Sequence, residues 1–229
     1  MSHARTALVI GASRGLGLVL VAELARRGWH VVATTRRPGG RLQDLADASG
    51  GRVRVETLEL TDTDQTYAMR ERLADTRLDL LLVNAAIDRG DAPIEDVPVE
   101  TFTEVMVTNA LSPLRCLSIL RPLVTADGTV AVMSSDQGSI SLNTEPGYEL
   151  YKASKAALNQ LVRSWVTRHA ADDHTTLLLD PGHNRTGLGG PDAPLEPEES
   201  IPAVVDVVVK RAGSGGLHFL DRHGETVPW

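Results

Sequence analysis

Short apolar runs alternate with stretches of helical period along this chain. Thr6-Ala7-Leu8-Val9-Ile10, Leu80-Leu81-Leu82-Val83 and Thr129-Val130-Ala131-Val132-Met133 are nearly continuous apolar segments. Such runs suit strands of a parallel sheet covered on both faces. Leu16, Leu20, Leu24 and Ala25 recur instead at helical spacing. The pattern predicts strands near residues 5–10, 30–35, 53–58, 78–83, 128–134, 174–179 and 216–220, and helices near 15–27, 41–48, 63–75, 99–123, 148–170 and 198–212. Strand and helix alternate with neither a long linker nor an internal repeat. That predicts an α/β fold: a single-domain Rossmann-type doubly wound parallel sheet of about seven strands, with helices on both faces and right-handed crossovers. In such a sheet a ligand lies beyond the carboxyl ends of the strands. The one domain is expected to fill residues 1–229. A substrate loop, rich in Gly and Pro, is expected around residues 183–200, where it reads as a lid over the site.

The first apolar run leads into Gly11-Ala12-Ser13-Arg14-Gly15-Leu16-Gly17. Strand, glycine turn and helix in that order form the context of a dinucleotide site. The glycines let backbone approach a pyrophosphate, and the helix N-terminus offers free N–H groups with positive dipole charge. The spacing is Gly-x-x-x-Gly-x-Gly rather than Gly-x-Gly-x-x-Gly. A tight turn needing glycine for geometry alone is the plainer alternative.

Tyr151 and Lys155 stand four residues apart in a predicted helix, which stacks both on one face. A cation beside a phenol favours the phenolate, so Lys155 is expected to lower the Tyr151 pKa from its ordinary value near ~10. The pair gains weight from Ser134-Ser135 upstream and from the glycine turn. Tyr148, three residues earlier, is a competitor as acid, and Lys152 stands four residues beyond it. Tyr148 reads as a wall of the substrate pocket.

Taken together, these residues resemble the short-chain dehydrogenase/reductase family across nearly the whole chain. The family's glycine motif falls on Gly11, Gly15 and Gly17, and its mid-sheet Asn-Asn-Ala-Gly on Val83-Asn84-Ala85-Ala86. Its helix asparagine falls on Asn109, its serine on Ser135 ahead of Gly138, its tyrosine and lysine on Tyr151 and Lys155, and its Pro-Gly turn on Pro181-Gly182 with Thr186 following. Gly138 through Asn143 and the segment Asp221 to Trp229 are similar to the C-factor/sniffer-like carbonyl reductase branch.

The resemblance implies hydride transfer between a nicotinamide and a carbonyl or alcohol carbon. It assigns Tyr151 as acid–base, Ser135 as a second hydrogen-bond donor to the substrate oxygen, Lys155 as ribose ligand and modulator of Tyr151, and Asn109 as holder of a relay water. The expected cofactor contacts are Gly11, Ser13, Arg14, Gly15, Leu16, Gly17, Thr35, Arg36, Glu59, Leu60, Asn84, Ala85, Ala86, Tyr151, Lys155, Pro181, Gly182, Asn184 and Thr186. NADP(H) is expected, because Ala33-Thr34-Thr35-Arg36-Arg37 ends the second strand without the acid that would hold an NAD ribose and repel a 2′-phosphate. Arg36 and Arg14 can take that phosphate on planar forks of donors. Glu59 stands where relatives carry Asp for the adenine edge, and Asp62 reads as a helix N-cap.

Two departures matter. Ala86 replaces a glycine and adds a methyl near the ribose. His183 and Asn184 follow Pro181-Gly182 where an aromatic and an aliphatic residue are usual, which suggests a polar substrate or a shifted loop. His183 reads as a substrate-pocket residue, as a second acid or base, or as a solvent-facing loop histidine.

With 229 residues the chain can bury a sizeable core. A net charge of -7 disfavours a nucleic-acid partner. The single cysteine, Cys116, has no partner for an internal disulfide, so a reducing cytoplasm fits. No apolar run nears the ~20 residues of a membrane span. The N-terminus shows no signal peptide, and no metal set emerges from the histidines. A homodimer or homotetramer is expected through the long helices around the fifth strand, with Leu114, Leu117 and Leu161 as candidates that core packing explains equally well. Three functions fit: an NADP(H)-dependent carbonyl reductase or alcohol dehydrogenase, a non-redox cyclase or isomerase on the same scaffold, and an NADP(H)-sensing signalling protein.

Overall fold

The computed structural model describes residues 4–229. Seven strands form one sheet in the order β3-β2-β1-β4-β5-β6-β7, every pair parallel. They are β1 Thr6–Ile10, β2 His30–Thr35, β3 Val53–Thr57, β4 Leu78–Val83, β5 Val124–Met133, β6 Thr175–Asp180 and β7 Leu217–Asp221. The helices are α1 Gly15–Arg26, α2 Arg41–Ala48, α3 Thr63–Arg72, α4 Val99–Met106, α5 Ser112–Leu120, α6 Glu149–Arg168 and α7 Pro197–Arg211.

Successive residues of the central strands feed opposite cores, which is why those strands carry no polar face, whereas the edge strand β3 alternates Val53 and Val55 with Arg54 and Glu56. Leu8, Ile10, Leu81, Val130 and Val132 pack with Met69, Leu117, Leu158 and Trp165 from α3, α5 and α6. Their neighbours Ala7, Val9, Leu80, Leu82 and Ala131 pack with Leu20, Leu24, Leu42 and Val204 from α1, α2 and α7. Sheet order reverses between β1 and β4, and the crevice at that switch point opens at the strands' carboxyl ends. Asp62 caps α3 by accepting from the Gln65 N–H at 3.0 Å, as expected.

Three expectations change. The helix predicted over 99–123 is α4, a π-helical turn at Val107–Leu111, α5 and a 3-10 turn at Arg121–Leu123. Pro113 has no N–H to offer the Asn109 carbonyl four residues back, so a regular α ladder fails there and the wider turn takes its place. β5 starts at Val124 rather than near 128, because Val124 pairs with Leu78 ahead of a register shift. Leu114 and Leu117 are buried in the core, which removes them as an oligomer face, while Leu161 is 40% exposed. Among the described residues no helix is long and apolar enough to cross a membrane.

Candidate active site

A cleft of about 900 Å³ runs along the carboxyl ends of the strands, from Glu59 and Leu60 after β3, past the glycine turn after β1, to the Pro181–Gly182 turn after β6. Every residue expected to touch cofactor or substrate lines it except Gly17 and Asn109.

Gly17 works from behind the turn. A Cβ there would stand 2.1 Å from the Gly11 carbonyl oxygen and 2.7 Å from the Asn84 side-chain nitrogen. Asn84 donates to that same Gly11 oxygen at 2.8 Å, so its amide shapes the turn. Gly11 has φ +87°, and a Cβ on it would meet Ala85 at 2.6 Å. Close packing therefore demands both glycines, and at Gly11 the left-handed backbone demands glycine as well. Thr34, which sequence reading passed over, accepts from the Gly11 N–H at 3.0 Å. The first turn of α1 holds no acidic residue and no side-chain cap, so its N–H groups are open to an anion. Thr186 lies opposite, 3.5 Å from where a Cβ on Gly15 would sit. Ala86 has no left-handed backbone angle, so nothing in its conformation calls for glycine.

Arg36 faces the cleft with Glu59 3.8 Å away. The Glu59 carboxylate also accepts from the Thr61 hydroxyl at 3.1 Å. Thr35 is buried, its hydroxyl donating to the Arg37 carbonyl at 2.8 Å.

At the other end the serine pair divides. Ser134 is buried and donates to Asn159 at 2.6 Å, a structural tie. Ser135 lines the cleft, caps the 3-10 turn Asp136–Gly138 by accepting from the Gln137 N–H at 3.1 Å, and donates to Asp136 at 3.1 Å. Tyr151 and Lys155 share one face of α6. The Lys155 ammonium lies 5.7 Å from the centre of the Tyr151 ring and donates to the Met133 carbonyl at 2.9 Å. Lys152 turns elsewhere, donating to Asn143 at 2.9 Å and to the Glu145 carbonyl at 2.6 Å.

Electrostatics correct one expectation. Burial pushes the Tyr151 phenol up, and Asp88, Asp180 and Asp136 add to that rise. Burial also pulls Lys155 down to about 8. Desolvation penalises the phenolate and the ammonium alike, so the cation does not acidify its neighbour here. The phenol keeps its proton through neutral pH.

Asn109 is buried and bound to the Ile87 backbone in both directions, accepting from its N–H at 2.8 Å and donating to its carbonyl at 2.8 Å, with a further bond to Ser154 at 3.0 Å. Both amide protons are committed, so this side chain anchors the segment after β4 instead of facing the cleft. Asn184 is likewise buried, donating to the Pro181 and Gly182 carbonyls at 2.9 and 2.8 Å and accepting from Ser200. His183 bonds the Gly189 carbonyl at 2.7 Å. Arg185 and Leu195 join through their backbones at 2.8 Å, and Arg185 pairs with Glu196 at 2.6 Å. These bonds give His183 and Asn184 partners of their own, which accounts for both without a polar substrate.

Asp180, at the end of β6, is a titratable group that sequence reading missed. It is buried and accepts from the Gly182 N–H at 3.1 Å. Burial first, and then Asp136, raise its pKa to about 6, against the pull of the Gly182 and Asp136 N–H groups. A raised carboxyl pKa means stability present at low pH and lost as pH climbs through about 6. Asp180→Asn is expected to gain about 2 kcal/mol over the parent at pH 7.5, with the gain vanishing below about pH 4, in urea unfolding at both values.

Comparison with known proteins agrees with this geometry. The family model described as short chain dehydrogenase matches residues 5–193. A short-chain dehydrogenase/reductase from Burkholderia multivorans, crystallised with NADP, is 46% identical and superposes with a TM-score of 0.96 over 99% of this chain and 100% of its own. The Drosophila melanogaster carbonyl reductase Sniffer is 27% identical, with a TM-score of 0.88 over 99% and 100% of the two chains. The C-signal protein of Myxococcus xanthus is 34% identical over 154 residues, 66% of this chain and 93% of its own. Matching nearly end to end in both sequence and fold, with the glycine turn and the Ser135, Tyr151 and Lys155 constellation in place, the chain belongs to the short-chain dehydrogenase family.

Proposed function

We propose that this enzyme is an NADP(H)-dependent oxidoreductase that reduces a ketone or aldehyde, or oxidises the alcohol, with Tyr151 as acid–base. One observation carries the reading: Ser135 from the turn after β5, and Tyr151 and Lys155 from α6, line a single cleft whose far end is the glycine turn. Arg14 and Arg36 line the adenosine end, and β2 ends without an acid, which favours a 2′-phosphate. The NADP in the Burkholderia neighbour supports the same choice.

The uncapped start of α1 and the close-packed Gly11 and Gly17 suit a pyrophosphate. When bound, the reduced nicotinamide supplies hydride to the carbonyl carbon. Ser135 gives up its bond to Asp136 and donates to the carbonyl oxygen. Tyr151, kept protonated by its surroundings, donates to the same oxygen as negative charge grows there, and its proton is delivered. Lys155 holds the ribose hydroxyls, which ties cofactor position to the Tyr151 wall. The intact Ser-Tyr-Lys set argues against a purely sensory role.

Lys155 sets an expected pH dependence. Its ammonium is present below about 8 and lost above, while the raised Tyr151 stays protonated across that range. Reductase kcat/KM is expected to hold on the acidic side and to fall through about pH 8. A pH–rate profile checks it, and Lys155→Met should be slow and lack that limb. The function itself is tested with purified protein, NADPH or NADH, and a panel of ketones and aldehydes, following absorbance of the reduced nicotinamide. Oxidation that needs a carbonyl and prefers NADPH is expected. Tight NADPH binding without turnover on any carbonyl contradicts the reading.

A further inference from the structure

Tyr148 is the sole described residue other than glycine with a positive φ, at φ 51° and ψ 34°. A bulky aromatic side chain occupies that left-handed region only where its surroundings enforce it. It opens α6 three residues before Tyr151, and no side chain of its own caps the helix. Its ring is half exposed and lines the cleft.

The enforcing contact comes from 57 residues away: the Tyr148 N–H donates to the Asp91 carboxylate. That carboxylate lies against Gly147, where a Cβ would stand 3.2 Å from each of its oxygens. Gly147 itself has φ 92°, so two consecutive residues adopt left-handed angles around one acceptor. A second stitch runs the other way, from the Ile94 N–H to the Glu149 carboxylate at 2.9 Å. Arg89 fixes the start of the same segment to Glu104 on α4, with bonds of 2.8 and 2.5 Å. The segment carrying Asp88 on the cleft wall is therefore braced on both sides, and Asp91 is the point where it grips the start of the catalytic helix.

We propose that Asp91 is a positioning residue for substrate: by accepting the Tyr148 N–H it holds Tyr148 left-handed, which sets the ring as a wall of the substrate mouth. Asp91 touches no reacting atom. Its action is on substrate binding, with hydride transfer and cofactor binding left largely alone. The aromatic wall would flank the substituent of the carbonyl compound on the side away from the glycine turn. An amide oxygen can accept the same N–H, so Asn at this position keeps the grip, whereas Ala abolishes it.

The inference rests on the reductase reading, so its test has one arm that needs no turnover. Amide hydrogen exchange over residues 148–152 is expected to quicken about tenfold in Asp91→Ala, from loss of a charge-assisted bond, and to stay near the parent rate in Asp91→Asn. In the second arm, KM for the carbonyl substrate rises about tenfold in Asp91→Ala, with kcat within about twofold and NADPH affinity, read by its fluorescence, unchanged. In a Tyr148→Gly background, which accepts positive φ freely, adding Asp91→Ala should move KM less than about twofold. Unchanged exchange in Asp91→Ala overturns the proposal whether or not a substrate is turned over. So does a fall in kcat at constant KM, or a KM effect that persists in the Tyr148→Gly background. A parent protein inert toward every carbonyl defeats the reductase reading alone.

Discussion

Tyr151→Phe is expected to lower reductase kcat/KM by about a thousandfold, within the range that a positioned general acid contributes. The variant keeps the ring on α6 and removes one hydroxyl. In the proposed reaction that hydroxyl is the proton source for the developing oxyanion, and its surroundings hold the proton in place: burial, Asp88, Asp180 and Asp136 all push its pKa upward. Ser135 alone would then face the growing charge, as a donor that keeps its proton. NADPH affinity should change little, because the glycine turn, Arg14 and Arg36 lie at the far end of the cleft. Stability should hold or rise slightly, since a half-buried hydroxyl gives way to an apolar edge. Steady-state kinetics beside NADPH fluorescence titration separates these effects. Equal losses in turnover and NADPH binding would point to a disturbed fold instead of a lost acid.

Gly17→Ala is expected to cost about 3 kcal/mol of stability and to weaken NADPH binding by at least about tenfold. A methyl would meet the Gly11 carbonyl at 2.1 Å, far inside contact distance, with the Asn84 amide at 2.7 Å on the other side. Neither neighbour can yield: the Gly11 oxygen is backbone, and Asn84 bonds it at 2.8 Å. Helix α1 must therefore lift away from the turn, which disrupts the open N–H groups that suit a pyrophosphate. Gly187→Ala is the matched control for stability. It meets nothing within 4 Å and has no left-handed angle, so its unfolding midpoint should not move. Urea unfolding of both variants, with NADPH titration of Gly17→Ala, checks the contrast.

Much of this was legible in the sequence because it was written locally. All seven expected strands are present, with β5 starting earlier than expected, and the central ones stand out because each feeds two cores and so carries no polar face. Gly11, Ser135, Tyr151 and Lys155 announced themselves through fixed spacings within single turns or helices. What escaped was written in partners distant along the chain. The Asn109 side chain ties itself to the Ile87 backbone, 22 residues away, a partner that nothing in its sequence neighbourhood reveals. Asn184 reads in sequence as a polar departure beside the substrate mouth, and it forms a buried knot with Ser200. Within the 183–196 segment, backbone and side-chain bonds join residues that no local pattern pairs. The direction of the Tyr151 shift was misjudged for a related reason. Lysine at four-residue spacing is visible in sequence, whereas burial and carboxylates from three other segments are not.

In the proposed reaction three groups meet at one carbonyl: the Ser135 hydroxyl, the Tyr151 phenol and the reactive face of the nicotinamide. A crystal structure of the ternary complex with NADP+ and an unreactive carbonyl analogue tests it most directly. The expected result is both hydroxyl oxygens within about 3 Å of the analogue's oxygen, with the nicotinamide ring stacked on its carbonyl carbon. A ring lodged elsewhere in the cleft, or an analogue oxygen bonded to neither hydroxyl, would contradict it.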